Sequence, residues 1–101
     1  MANEKFNAIK GGRKVVISAG AAVQISGSNA GIKCQKVTIM AETDNTSAVV
    51  VGGPNVVATL SARTGIPLSP GQSFTFGIEN LNAVWLDVEA GGDGVTYVYF
   101  D

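Results

Sequence analysis

Three short stretches of this 101-residue chain hold residues whose types and spacing could do chemistry. Asp87 and Glu89 stand two apart in AVWLDVE, next to Trp85. A glycosidase needs two carboxyls facing each other across a cleft, whereas neighbours two apart on one strand face read as solvated carboxylates. With Trp85 they form a stripe suited to stacking a sugar ring or to a protein contact, where Trp and Tyr are enriched. The protein contact is the preferred reading. Glu42, Asp44 and Asn45 in AETDNTS offer oxygens to a calcium ion but lack the D-x-[DN]-x-[DN]-G ladder, so a solvated loop is expected. Lys10, Arg13 and Lys14 in KGGRKVV form the one basic cluster. It is either a solvated flank or a group that docks on an acidic protein surface.

Other chemistry is excluded by what the composition lacks. There is no histidine, hence no imidazole base, no histidine ligand and no Ser–His–Asp triad. A single cysteine, Cys34, rules out an internal disulfide and the cysteine-rich zinc patterns. Apart from Lys33 and Lys36, GIKCQKV offers it no activating base, so a packed, idle thiol is expected. VGGPN and AGGDG are glycine-rich without the GxxxxGK[ST] spacing that cradles phosphate, and read as turns. No enzyme activity, metal or cofactor is expected. An isoelectric point near 5.2 argues against nucleic acid as a partner. No apolar run approaches the ~18 residues of a membrane span, and the first residues hold no apolar core of a secretory signal.

The net charge of −1 conceals a split. Lys5, Lys10, Arg13, Lys14, Lys33 and Lys36 against Glu4 give residues 1–36 a net +5. Arg63 against Glu42, Asp44, Glu79, Asp87, Glu89, Asp93 and Asp101 gives residues 37–101 a net −6. Such asymmetry can orient a molecule on an acidic partner.

The elements that must position these residues are strands. Apolar residues recur with period two: Phe74, Phe76 and Ile78 in QSFTFGI, Val84, Leu86 and Val88 in AVWLDVE, Val37, Ile39 and Ala41 in KVTIMA. AAVQIS alternates likewise, and VVIS over 15–18 reads as a short strand. AVVVG and VTYVYF are apolar on both faces, as central strands are, or strands whose outer face meets another subunit. SAG, SGSNAG, TDNTS, GGPN, SPG, NLN and GGDG read as the intervening turns. In SPG, Pro70 presets φ and Gly71 can take positive φ, which suits a type II turn. About seven or eight short strands predict an all-β fold, an antiparallel β-sandwich of jelly-roll or other Greek-key type. One domain over residues 15–101 is expected, preceded by an arm over 1–14 that is flexible or bound to a partner.

The stretch CQKVTIMAETDNTSAVVVGGPNV, followed by GIPLSPGQSFTFGIENLNAVWLDVEAGGDGVTYVYF, resembles small structural proteins of tailed bacteriophages over about Lys33 to Phe100. The likeness is one of turns and strands, with no catalytic motif in it. It implies a β-sandwich virion module, in the first place a capsid decoration protein that stabilises the assembled head. The alternative is a tail fibre, neck or baseplate module that binds glycans or the host surface. The partners implied are the major capsid protein or other virion proteins, together with further copies of the chain, a trimer being favoured. The place implied is the virion, after synthesis in the bacterial cytoplasm, with no nucleic-acid or membrane partner. The contact residues expected are Lys10, Arg13 and Lys14 in the arm, with Trp85 or Tyr97 and Tyr99 at an interface.

Overall fold

The computed structural model describes residues 9–26 and 32–100. Eight strands run in chain order: β1 (Ile9–Val15), β2 (Val23–Gln24), β3 (Lys36–Ala41), β4 (Val49–Gly52), β5 (Ile66–Leu68), β6 (Ser73–Gly77), β7 (Trp85–Val88) and β8 (Gly94–Phe100). Two single 3₁₀ turns, Leu60–Ala62 and Leu81–Ala83, are the only helical segments among the described residues. None is long or apolar enough to cross a membrane.

The strands make two four-stranded antiparallel sheets, ordered β1-β8-β3-β6 and β2-β7-β4-β5. The pairs β1–β8, β2–β7, β3–β6 and β4–β5 are nested, the first strand with the last and so inward. That nesting is a long hairpin rolled across two layers, the jelly roll.

Why these residues form these strands follows from the pleat, which sends alternate side chains to opposite faces. Val37, Ile39 and Ala41 of β3, Val95 of β8, Leu86 and Val88 of β7, and Val49 and Val51 of β4 fill the space between the sheets. The doubly apolar segments at 48–52 and 95–100 are central strands, β4 and β8. On the outer face of the second sheet, the segment between β4 and β5 folds back. Val50, Val56 and Ala58 make a small second core there, with Ala22 and Trp85 against it. At SPG, Gly71 has φ of 84° and the Gln72 N–H donates to the Ser69 carbonyl at 2.9 Å, as a type II turn requires.

Several expectations need correction. From Ile9 onward the expected arm is an edge strand, in register with β8 from Ile9 opposite Phe100 to Val15 opposite Gly94. The sandwich thus begins before residue 15. Gly11, Gly12 and three cations hide the alternation of β1, which is held by main-chain pairing rather than apolar burial. Residues 1–8 of the expected arm, like 27–31 of the SGSNAG turn, lie outside the described residues. The strand read at 15–18 ends at Val15, and of AAVQIS only Val23–Gln24 is strand, with the Ile25 N–H donating to the Val84 carbonyl beyond it.

Candidate interaction surfaces

Strand pleating divides the basic cluster. In β1, Lys10 is opposite Tyr99 and Lys14 opposite Val95, on the face that looks toward the core. Arg13, opposite Thr96, lies on the other face. There its Nε and Nη2 grip the two carboxylate oxygens of Glu42, with Nη2 to Oε2 at 2.9 Å. This bidentate pair uses the strongest geometry open to a carboxylate. The three cations therefore do not form a single patch, and Arg13 is already neutralised.

The Arg13–Glu42 pair makes a pH-dependent contribution. The Arg13 hydrogen bond holds the Glu42 carboxyl below its usual value of 4.5. A carboxyl lowered in the fold adds stability that is complete above its unfolded pKa and vanishes as pH falls through its folded pKa. Below about pH 4.5 the stability advantage of the wild type over Glu42→Gln should therefore shrink steadily. Urea midpoints measured across that range check it, and a constant difference would show that the pair contributes nothing. The pair is at the surface and salt-screened, so the effect is small.

The aromatic candidates are likewise separated. Tyr97 and Tyr99 alternate on β8 with Val95, point toward the core beside Ile39 and Val37, and stack at 6.2 Å between centroids. Burial pushes the Tyr97 phenol up from its ordinary value, and neighbouring Tyr99 adds to the shift. Trp85 lies on the outer face of the other sheet, half-buried against the second core. Of the six expected contact residues, the fold brings together Lys10, Lys14, Tyr97 and Tyr99 on one sheet face, and sets Arg13 and Trp85 apart.

Of the carboxylates next to Trp85, Glu89 is exposed as expected and Asp87 is not. Asp87 is 1% exposed. Its Oδ2 accepts from the Ala58 N–H at 2.8 Å, and its Oδ1 from Gly20 at 3.1 Å and Val88 at 2.9 Å. The fold-back segment carries Ala58 over β7 and encloses the carboxylate, which ties that layer to the sheet. Glu89 pairs with Arg63 at 3.1 Å, and Arg63 also donates to the Ala58 carbonyl. Asp87 thus has no oxygen to offer a sugar.

Of the AETDNTS side chains, Asp44 is exposed, as a solvated loop predicts, while Glu42 and Asn45 have partners. Glu42 serves Arg13, and Asn45 exchanges two hydrogen bonds with the Gly94 backbone. Asp93 in turn accepts from the Thr46 and Ser47 N–H groups. Among the described residues no three acidic, Cys or His side chains gather where a metal would sit. Cys34 is buried, its thiol donating to the Ile78 carbonyl at 3.3 Å.

What sequence reading missed is the outer face of the first sheet. Register there aligns Gly11, Val98, Thr38 and Thr75 in one row, and Arg13, Thr96, Met40 and Ser73 in the next. Met40 and Val98 are 41% and 38% exposed, with Ile9 at the rim. Gly11, Thr38, Met40, Thr96 and Val98 line a shallow depression of about 430 Å³. Charge enters only at its border, so the centre is apolar and hydroxylic. Each strand shows only one or two of these residues, and nothing local tells which strands lie side by side. Comparison with protein-family models, curated proteins and solved structures finds no match.

Proposed function

We propose that this chain is a structural module of a tailed-bacteriophage virion, in the first place a capsid decoration protein that binds the assembled head non-covalently. The phage assignment rests on the likeness over Lys33 to Phe100. The jelly-roll topology agrees with it by analogy only, since capsid domains share this roll with lectins and enzymes.

One observation carries the mode of action. The outer face of the β1-β8-β3-β6 sheet exposes Met40 and Val98 in a setting of threonines, with no charge in the middle. Such a face adheres through shape and desolvation. Repeated at every equivalent site of a symmetric shell, weak adhesion becomes tight through multivalency. Lys10 and Lys14 on the β1 edge add attraction to an acidic shell. The tail or baseplate alternative, with a glycan on Trp85, has less support, because Asp87 is enclosed and Trp85 leans on Val50, Val56 and Ala58.

The test uses heads assembled without this chain. Added wild-type protein should saturate them and raise the temperature at which they release DNA. Val98→Lys changes an exposed position and should leave the fold intact by circular dichroism. It should bind heads at least about tenfold more weakly, the factor of about 1.4 kcal/mol that one buried anchor supplies. Absence of binding, or equal binding of wild type and Val98→Lys, would overturn the proposal.

A further inference from the structure

The two sheets have four edges, and three are blocked in recognised ways. β1 bears Lys10, Arg13 and Lys14, with both lysines on the core-facing side. β2 is two residues long, and β5 is three residues with Pro67 in the middle. β6 is different. Its sequence, Ser-Phe-Thr-Phe-Gly, has no charge and no proline, and among the described residues it pairs along its length with β3 alone. Phe74 lies on its core-facing side, opposite Ile39, yet is 37% exposed because no strand follows.

Hydrogen-bond parity identifies which groups β6 leaves open. The Ala41 N–H donates to Gln72, and the Ile78 N–H donates to Gln35. In an antiparallel ladder bonded and non-bonded pairs alternate. Phe74 and Phe76 therefore bond inward to β3, and Ser73, Thr75 and Gly77 direct their N–H and C=O groups outward.

We propose that this open edge pairs with β6 of a second copy, antiparallel, about a two-fold axis at Thr75. That register sets Thr75 against Thr75, Ser73 against Gly77, and Phe74 against Phe76. Every outward group then meets an outward group, which gives about six main-chain hydrogen bonds. The match is a property of the strand itself. The three outward residues are centred on Thr75, so the same edge satisfies itself when turned end for end, and no like charges meet.

On the core-facing side, Phe74 and Phe76 already lie 5.2 Å apart. The partner's pair would extend them to four rings, closing over the exposed Phe74. On the outer side, the row Gly11–Val98–Thr38–Thr75 would continue into its own mirror sequence, making an eight-stranded sheet. Pairing an edge with itself is isologous and closes at two copies. The trimer expected from capsid geometry would need a different, heterologous contact. This inference does not depend on the virion reading, because only the edge enters it.

Three variants test it by sedimentation and oxidation. The wild type should sediment as a dimer. Thr75→Val removes only the hydroxyl that bonds Thr38 at 2.8 Å, and should remain a dimer. Thr75→Pro removes an N–H that its own fold does not use, as proline on an edge strand can. It should keep the β spectrum while the dimer Kd rises at least about tenfold, because two central donors are lost. Thr75→Cys should crosslink between copies on mild oxidation, since bonded pairs sit about 5.5 Å apart at Cα. Exposed Ser61→Cys, the collision control, should crosslink far more slowly. A wild type that stays monomeric to about 1 mM overturns the proposal. So does a dimer that Thr75→Pro leaves intact, or one in which Thr75→Cys crosslinks no faster than Ser61→Cys.

Discussion

Asp87→Ala should cost the fold about 3 kcal/mol, a large share of the 5–15 kcal/mol that holds a domain of this size. The carboxylate is enclosed and accepts three backbone N–H groups. Gly20 lies at the surface, where water replaces the lost acceptor. Ala58 is fully buried and gets no replacement. An orphaned donor that had bonded to a charge costs about 1.5–3 kcal/mol, and the space left by the carboxyl adds to it. The damage should be local first. Amide exchange at Ala58 should accelerate before that of β3 or β8, because the fold-back layer loses its tie to β7. Asp87→Asn keeps the shape and one acceptor oxygen, and should cost roughly half as much. Denaturation midpoints and exchange rates measure both. An alanine variant within about 1 kcal/mol of wild type would mean that the aspartate is dispensable to the layer.

Gly65→Ala should be about as severe, for a different reason. Gly65 has φ of 125°, in a region that side-chain-bearing residues rarely adopt. A Cβ there would stand 2.7 Å from the Val51 carbonyl oxygen, 2.8 Å from Val50 Cγ1 and 2.9 Å from Val56 Cγ2. Backbone strain of about 1–3 kcal/mol and overpacking of about 1–3 kcal/mol act together. Gly20→Ala separates the two. Gly20 also has positive φ, 85°, but a Cβ there meets nothing within 4 Å. It should cost only about 1–2 kcal/mol of conformational strain. Equal thermal shifts for the two variants would show that the crowding at Gly65 relaxes freely. The larger loss at Gly65 should also loosen the β4–β5 pairing, where Val51 is opposite Ile66.

Much of the architecture was legible because strand alternation is a local property. Val37, Ile39 and Ala41 announce one buried face of β3, and all three are fully buried. Doubly apolar AVVVG and VTYVYF announce central strands, as β4 and β8 are. The type II turn at Pro70–Gly71 follows from the torsions those two residues prefer. Reading failed where the deciding partner was distant. Asp87 alternates like a solvated residue, and is buried because Ala58 and Gly20, 29 and 67 positions away, come over it. Arg13 belonged to an expected arm until Glu42, 29 positions on, supplied its partner. Phe74 has the spacing of a core residue and is left half-open, because among the described residues β6 has a neighbour on one side only.

The amino-acid sequence alone determined that this protein is an antiparallel β-sandwich of about eight strands, with the buried face of most of them marked by alternation. Period-two burial and turn chemistry act over a few residues, so they can be read without the fold. Only the tertiary structure decided the nested order that makes the sandwich a jelly roll, the inclusion of residues 9–15 in it, and which edge stays open. Those are matters of which segments lie side by side. That choice depends on main-chain hydrogen bonds, which every residue but proline can donate and accept alike, so the side-chain pattern of a single strand does not record it.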